Sequence, residues 1–117
     1  MDYQHITISR VSHVATVTFN RPEVANALNP RHLEEIEHAA LSFRDDAETR
    51  AVIFTGAGKH FSSGAELGVR GRQEEPLVLR RRRRRIGERC IQALLDMDQI
   101  TIAAWKGAAM GGGGCIA

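Results

Sequence analysis

An α/β fold is predicted from three observations. The hydrophobic patterns run strand, strand, helix, strand, helix, strand; the helices are amphipathic; and each of the last two strands delivers a glycine-rich loop. Residues 5–9 and 14–19 alternate apolar and polar side chains and are separated by polar residues 10–13, which predicts a hairpin with one buried face. Residues 20–29 break the alternation and read as a loop. Asn29-Pro30 then starts a helix, because Asn can accept from orphan amides and Pro fits the first turn. Leu33, Ile36, Ala40 and Phe43 follow at spacings of three and four, with Glu34, Glu35 and Glu37 between them, so the helix should end near Asp45-Asp46.

Residues 50–55 form a continuous apolar run, which predicts a strand covered on both faces. Residues 56–71 are loop-like, with five glycines in that span. A second helix is expected over residues 76–97, placing Leu79, Ile86, Cys90, Leu94 and Met97 on one stripe. Residues 100–105 give the last strand, with Trp105 expected in the core, and residues 106–114 hold five more glycines. A helix beginning among Gly111, Gly112, Gly113 and Gly114 would have too few following residues to nucleate or bury a face. The chain is therefore expected to be the N-terminal part of a longer fold.

Composition sets outer limits. The 117 residues allow one small domain or a piece of a larger one, and 43% hydrophobic with 26% charged residues is an ordinary globular composition. No apolar run approaches the roughly 20 residues of a membrane-spanning helix. The start lacks a signal-peptide pattern, and Cys90 and Cys115 have neither metal-ligand spacing nor a disulfide framework, so a cytoplasmic protein without a metal site is expected. Sixteen Lys and Arg against fourteen Asp and Glu give +2, and six of the positive charges are consecutive arginines, residues 80–85. Removing that block would leave −4, so the basic balance is local.

The two glycine-rich loops carry the chemistry. Loops at the carboxyl ends of parallel strands are where α/β folds place their sites, and small residues let a ligand approach the backbone. Two backbone N–H groups that converge on one carbonyl oxygen form an oxyanion hole. Taken singly, either glycine cluster reads first as tight turns or close packing. Neither ends in the Gly-Lys-Ser/Thr of a phosphate-binding loop, and no GxGxxG opens a helix after the first strand, which disfavours nucleotide binding by those routes.

Three motifs in order change this. Asn20-Arg-Pro-Glu-Val-Ala-Asn-Ala-Leu28, Phe61-Ser-Ser-Gly-Ala-Glu-Leu67 and Ile102-Ala-Ala-Trp-Lys-Gly-Ala-Ala-Met-Gly-Gly-Gly113 together resemble the enoyl-CoA hydratase/isomerase (crotonase) family, over nearly the whole chain. The resemblance implies a crotonase-like spiral of ββα units, incomplete here at the C-terminus, with residues 1–117 as the N-terminal portion of one domain. It implies an acyl-CoA thioester substrate, no cofactor beyond that coenzyme A, and assembly as a homotrimer or homohexamer. In the family pattern the oxyanion donors fall on the N–H groups of Ala65 and Gly112. Ala25, Ala27, Leu28, Ala65, Glu66 and Leu67 would lie along the coenzyme. The hole would stabilise an enolate-like species shared by hydration, isomerisation, hydrolysis, decarboxylation and C–C cleavage.

The residues that choose among those reactions are mostly missing. The family glutamate three positions after the second donor corresponds to Cys115. A thiol with an ordinary pKa of about 8.5 is a poor substitute for a carboxylate that shuttles protons to water, so Cys115 is expected to pack. The second family glutamate would lie beyond Ala117. Glu66 is the one nearby carboxylate foreseen, structural or solvated, with proton transfer as its other reading.

The isolated chain is expected to be inactive even if its complete parent is an enzyme. The arginine block is read three ways: a solvated helix start, a contact for coenzyme A phosphates, or an RNA-binding element. A non-catalytic relative that binds RNA or a protein through that block is the alternative function. Six consecutive helical residues turn through about 600°, so Arg82 or Arg83 must approach the apolar stripe. His60 reads as a hydrogen-bonding loop residue, with catalysis the lesser alternative.

Overall fold

The computed structural model describes residues 1–65 and 76–117. Strands β1 (Ile6–Val11), β2 (Val14–Phe19), β3 (Ala51–Gly56) and β4 (Ile100–Ala104) form one mixed sheet in the order β1-β2-β3-β4. β1 and β2 are the expected hairpin, antiparallel from Ile6 opposite Phe19 to Val11 opposite Val14, with Ser12 in the left-handed region at φ 55°. β2 pairs with β3, and β3 with β4, in parallel. Among the described residues, three α-helices accompany the sheet: α1 (Pro30–Ser42), α2 (Leu77–Leu95) and the single turn α3 (Gly112–Ile116). The α/β prediction and the element order both hold.

α1 starts as its sequence dictates. The Asn29 side chain accepts from the His32 N–H at 2.8 Å, and Pro30 occupies the first helical position. The helix closes at Ser42, and a 3₁₀ turn, Phe43–Asp45, carries the chain to the predicted end. Ile36, Ala39 and Phe43 meet Val17, Phe19, Val52, Phe54 and Phe61 in one apolar core.

Glu35 departs from its expected place on the polar face and is fully buried. Its Oε1 accepts from the Gln4 and His5 N–H groups, each at 2.9 Å, and its Oε2 from Arg31 Nε at 2.7 Å. Desolvation alone would raise the Glu35 pKa, but these hydrogen bonds and the Arg31 charge outweigh it and hold the carboxylate below its usual range. Burial is tolerated because the anion is fully partnered, and the arrangement ties the chain before β1 to α1.

Other expectations are corrected. β3 is not covered on both faces: Val52, Phe54 and Gly56 are buried, whereas Ala51, Ile53 and Thr55 remain partly exposed. On α2, which packs beside α1, only Cys90 of the stripe is fully buried; Ile86, Leu94 and Met97 are half-buried and Leu79 is exposed. Every residue of β4, an edge strand, is exposed. Trp105 is 63% exposed rather than in the core, its Nε1 donating to the Gly107 carbonyl at 2.8 Å.

The glycine run also forms a helical turn after all. Gly113 N–H donates to the Met110 carbonyl at 2.8 Å and Cys115 N–H to the Gly111 carbonyl at 3.2 Å, so tertiary placement supplies what local propensity does not. Among the described residues, no helix is long and apolar enough to cross a membrane.

Candidate functional site

The three motifs meet because the parallel strands end together. Phe19 lies opposite Gly56, and Thr55 opposite Ala104, so the segments leaving β2, β3 and β4 emerge at one edge of the sheet. They keep the strand order beyond the sheet through two isolated parallel bridges, Leu28 with Ala65 and Ser62 with Ala109. Around these bridges Leu28 N–H donates to the Gly64 carbonyl at 2.8 Å and Ser63 N–H to the Ala25 carbonyl at 2.9 Å. On the other side Ser62 N–H donates to the Ala108 carbonyl, and Met110 N–H to the Ser62 carbonyl, both at 3.0 Å.

Buried polar side chains fix this junction. Asn26, fully buried and left-handed at φ 55°, accepts from Arg21 N–H at 2.8 Å. Its amide donates to the Ala57 and His60 carbonyls at 3.0 and 2.8 Å. Ser62, also fully buried, donates from Oγ to the Asn26 carbonyl at 2.8 Å and accepts from Gly64 N–H at 3.2 Å. His60 Nδ1 accepts from Ala108 N–H at 2.9 Å, a hydrogen bond of the kind expected for this loop histidine. Each group links two loops, so a shift in one is transmitted to the next.

The loops after β3 and β4 approach most closely where a Cβ on Gly107, at φ +58°, would meet the Lys59 carbonyl oxygen, and two more glycines bring them together nearer the cavity. Gly64 is at φ +90°, and a Cβ there would lie 2.6 Å from the Met110 carbonyl oxygen. A Cβ on Gly113 would lie 2.7 Å from Ser62 Cβ. Both contacts are shorter than real Cβ atoms adopt, so the loops after β3 and β4 are in contact because no side chain intervenes at these points.

A cavity of about 500 Å³ opens beside the junction, and Leu28, Ala65 and Gly112 line it together with Cys115. Because Leu28 N–H bonds to Gly64 rather than Ala65, the N–H of Ala65 is turned away from the Leu28 segment. Gly112 is the first residue of α3, where an N–H has no intrahelical acceptor. Neither N–H donates to another described residue. The opposite wall is α2, through Arg84, Gly87, Glu88 and Ile91 at helical spacings of three and four.

Of the predicted site residues, the fold brings Leu28, Ala65 and Gly112 to one cavity. Ala27 is buried and Ala25 half-buried in the turn behind it; Ala25 is left-handed at φ 52°. Glu66 and Leu67 lie outside the described residues. Cys115 is exposed in the cavity wall, which corrects the expectation that it packs; the buried thiol is Cys90, which desolvation and the Glu37 charge push up to about 12.

Arg83 is the half-buried member of the arginine block, as the helical turn requires, while the other five are exposed. Glu88 was missed as a second carboxylate near the site. It stands one helical turn from Arg84, with their charged atoms 3.9 Å apart. Only the fold could show that this face of α2 looks across at residues 65 and 112. The Asn26 and Ser62 roles likewise had no signal beyond polar residues inside the motifs.

A mixed sheet whose parallel strands deliver small-residue loops to one cavity narrows the comparison to a class of α/β proteins with their site at the carboxyl ends of the strands. The match to known families is specific: residues 9–117 fit the enoyl-CoA hydratase/isomerase family, and the chain belongs to that family. A short-chain-enoyl-CoA hydratase of Clostridium acetobutylicum is 35% identical over 97% of this chain and 43% of its own length. A crotonyl-CoA hydratase of Syntrophomonas wolfei is 32% identical over the same shares, 97% and 43%. The crystal structure of an enoyl-CoA hydratase from Bacillus anthracis superposes with a TM-score of 0.87 at 32% identity, covering 97% of this chain and 44% of that one. The chain thus spans less than half the length of these relatives and holds part of the crotonase fold.

Proposed function

We propose that this chain contributes an oxyanion hole to an acyl-CoA-processing site of the hydratase or isomerase type, with the N–H groups of Ala65 and Gly112 as the two donors. The observation that carries this reading is the shared cavity: both residues line it, and neither N–H is engaged by another described residue. A thioester carbonyl seated between them gains two aimed donors as charge moves onto its oxygen. The electron pair left when an α-proton departs, or when a nucleophile adds at the β-carbon, then rests on an oxygen already solvated by fixed amides. The apolar side chains of Leu28 and Ile91 suit the acyl group; the coenzyme is assigned to the Ala25, Ala27 and Leu28 segment and to Ala65 by the family pattern alone.

This hole selects the substrate class; the proton carrier selects the reaction. Cys115 at the family glutamate position argues against an ordinary two-glutamate hydration. Calorimetry of the intact protein with butyryl-CoA and with free coenzyme A tests the reading. It predicts butyryl-CoA binding that weakens when Gly112 becomes Val, because two γ-methyl groups beyond a Cβ already 3.2 Å from Leu28 Cδ1 would crowd the cavity. Absence of acyl-CoA binding by the intact protein would overturn the proposal.

A further inference from the structure

Gly87 sits in the interior of α2, eight residues before its end. Glycine is a poor residue there, since it gives up more chain freedom than alanine and adds no packing. Two structural reasons commonly retain it, and neither operates. Its backbone is not left-handed, and a Cβ built on it meets no described atom within 4 Å, so no close approach requires its absence. The space it leaves open belongs to the cavity that also holds Ala65 and Gly112. Its flanks on the same wall are occupied: Arg84 and Glu88 rise on one side and Ile91 one turn on. The unfilled position is therefore a notch in an otherwise continuous wall, facing the loops that present the two amides.

We propose that Gly87 is a specificity-determining residue that sets the size of the acyl group: the notch admits the far end of a longer acyl chain, lying between α2 and α3. This rests on the acyl-thioester reading above. The occupant is the acyl chain because the notch is continuous with the cavity carrying the two amides. The part of a ligand next to a carbonyl held there must run along these walls. A side chain at residue 87 would compete with that chain for the same volume, while leaving the amides untouched.

The test is calorimetry of the intact protein with acetyl-, butyryl- and octanoyl-CoA, which are saturated and leave binding as the readout. The Gly87→Ala variant is expected to melt a few degrees higher, as a Gly-to-Ala change on a helix does, yet to bind octanoyl-CoA about fourfold more weakly, the value of one displaced methylene. Gly87→Leu should lose at least about tenfold for octanoyl-CoA and less than about twofold for acetyl-CoA.

Equal affinities of the wild type and Gly87→Ala for octanoyl-CoA, or a Gly87→Leu loss of the same size at every chain length, would overturn the assignment. Should Gly87→Leu fail to fold, Gly87→Ala decides alone. Failure of the wild type to bind any of the three thioesters would instead remove the acyl-thioester reading itself, so the two failures are distinguishable.

Discussion

Replacing Gly112 by proline removes the N–H of the proposed site and sets the ring Cδ in its place. Gly112 is the first residue of α3, a position where proline is at home because its N–H has no intrahelical acceptor and its fixed φ suits the first turn. Gly111 before it, at φ 51° and ψ −122°, is in a conformation open to glycine and remains glycine in the variant. The ring Cβ approaches the end of the Leu28 side chain, whose Cδ1 lies 3.2 Å from it and can rotate away, while Cδ fills the direction the N–H had, so the variant both removes the donor and blocks its place. Gly112→Ala is the matched control, since it adds the Cβ and keeps the N–H. Loss of one oxyanion donor typically costs about 100- to 1000-fold, or roughly 2.7–4 kcal/mol.

The assay should not depend on which reaction the family member performs. Acetoacetyl-CoA serves, because its ionised form carries enolate charge on the thioester oxygen. Gly112→Pro is expected to bind that anion about 100-fold more weakly than Gly112→Ala, with the two melting temperatures alike. If the proline and alanine variants bind it within about threefold of each other, the Gly112 N–H is not an oxyanion donor, whatever the cavity holds.

Two further outcomes follow from the titratable groups. Burial lowers the His32 pKa from 6.5 to about 4, so between those values the unfolded chain binds a proton that the folded chain does not. Stability is therefore expected to fall by about 3 kcal/mol as pH drops from 6.5 toward 4, and His32→Phe should flatten that part of a urea-denaturation pH series. An unchanged slope would refute the assignment. Exposed Cys115 should react readily with iodoacetamide at pH 8 while buried Cys90, with its raised pKa, does not. Saturating acyl-CoA should slow the Cys115 reaction, as followed by mass spectrometry, and an unaltered rate would place the ligand elsewhere.

Sequence patterns reached the elements and the two loops because their signals are local. Asn29-Pro30 starts α1 by hydrogen bonding within one turn, and the hairpin follows from alternation over a few residues. Patterns failed where a long-range partner decides. Glu35 reads as part of the polar face, yet the Gln4 and His5 amides from before β1, with Arg31 one turn earlier on α1, satisfy it where it is buried. Trp105 reads as core by its size, yet the strand before it is an exposed edge. Within the site, Ala65 and Gly112 were reached through ordered motifs, whereas Gly87 and Glu88 come from a helix that no motif marks. The cavity they share depends on how α2 packs beside α1, which a helical period alone does not specify.

The central claim concerns an oxygen atom held by two main-chain amides, and vibrational spectroscopy reads that oxygen directly. Acyl-CoA labelled with carbon-13 at the thioester carbonyl, bound to the intact protein, should show its isotope-edited C=O stretch at lower frequency than in water. The shift should shrink when Gly112 becomes proline and persist when it becomes alanine. A bound thioester whose carbonyl frequency matches its value in water would contradict the account.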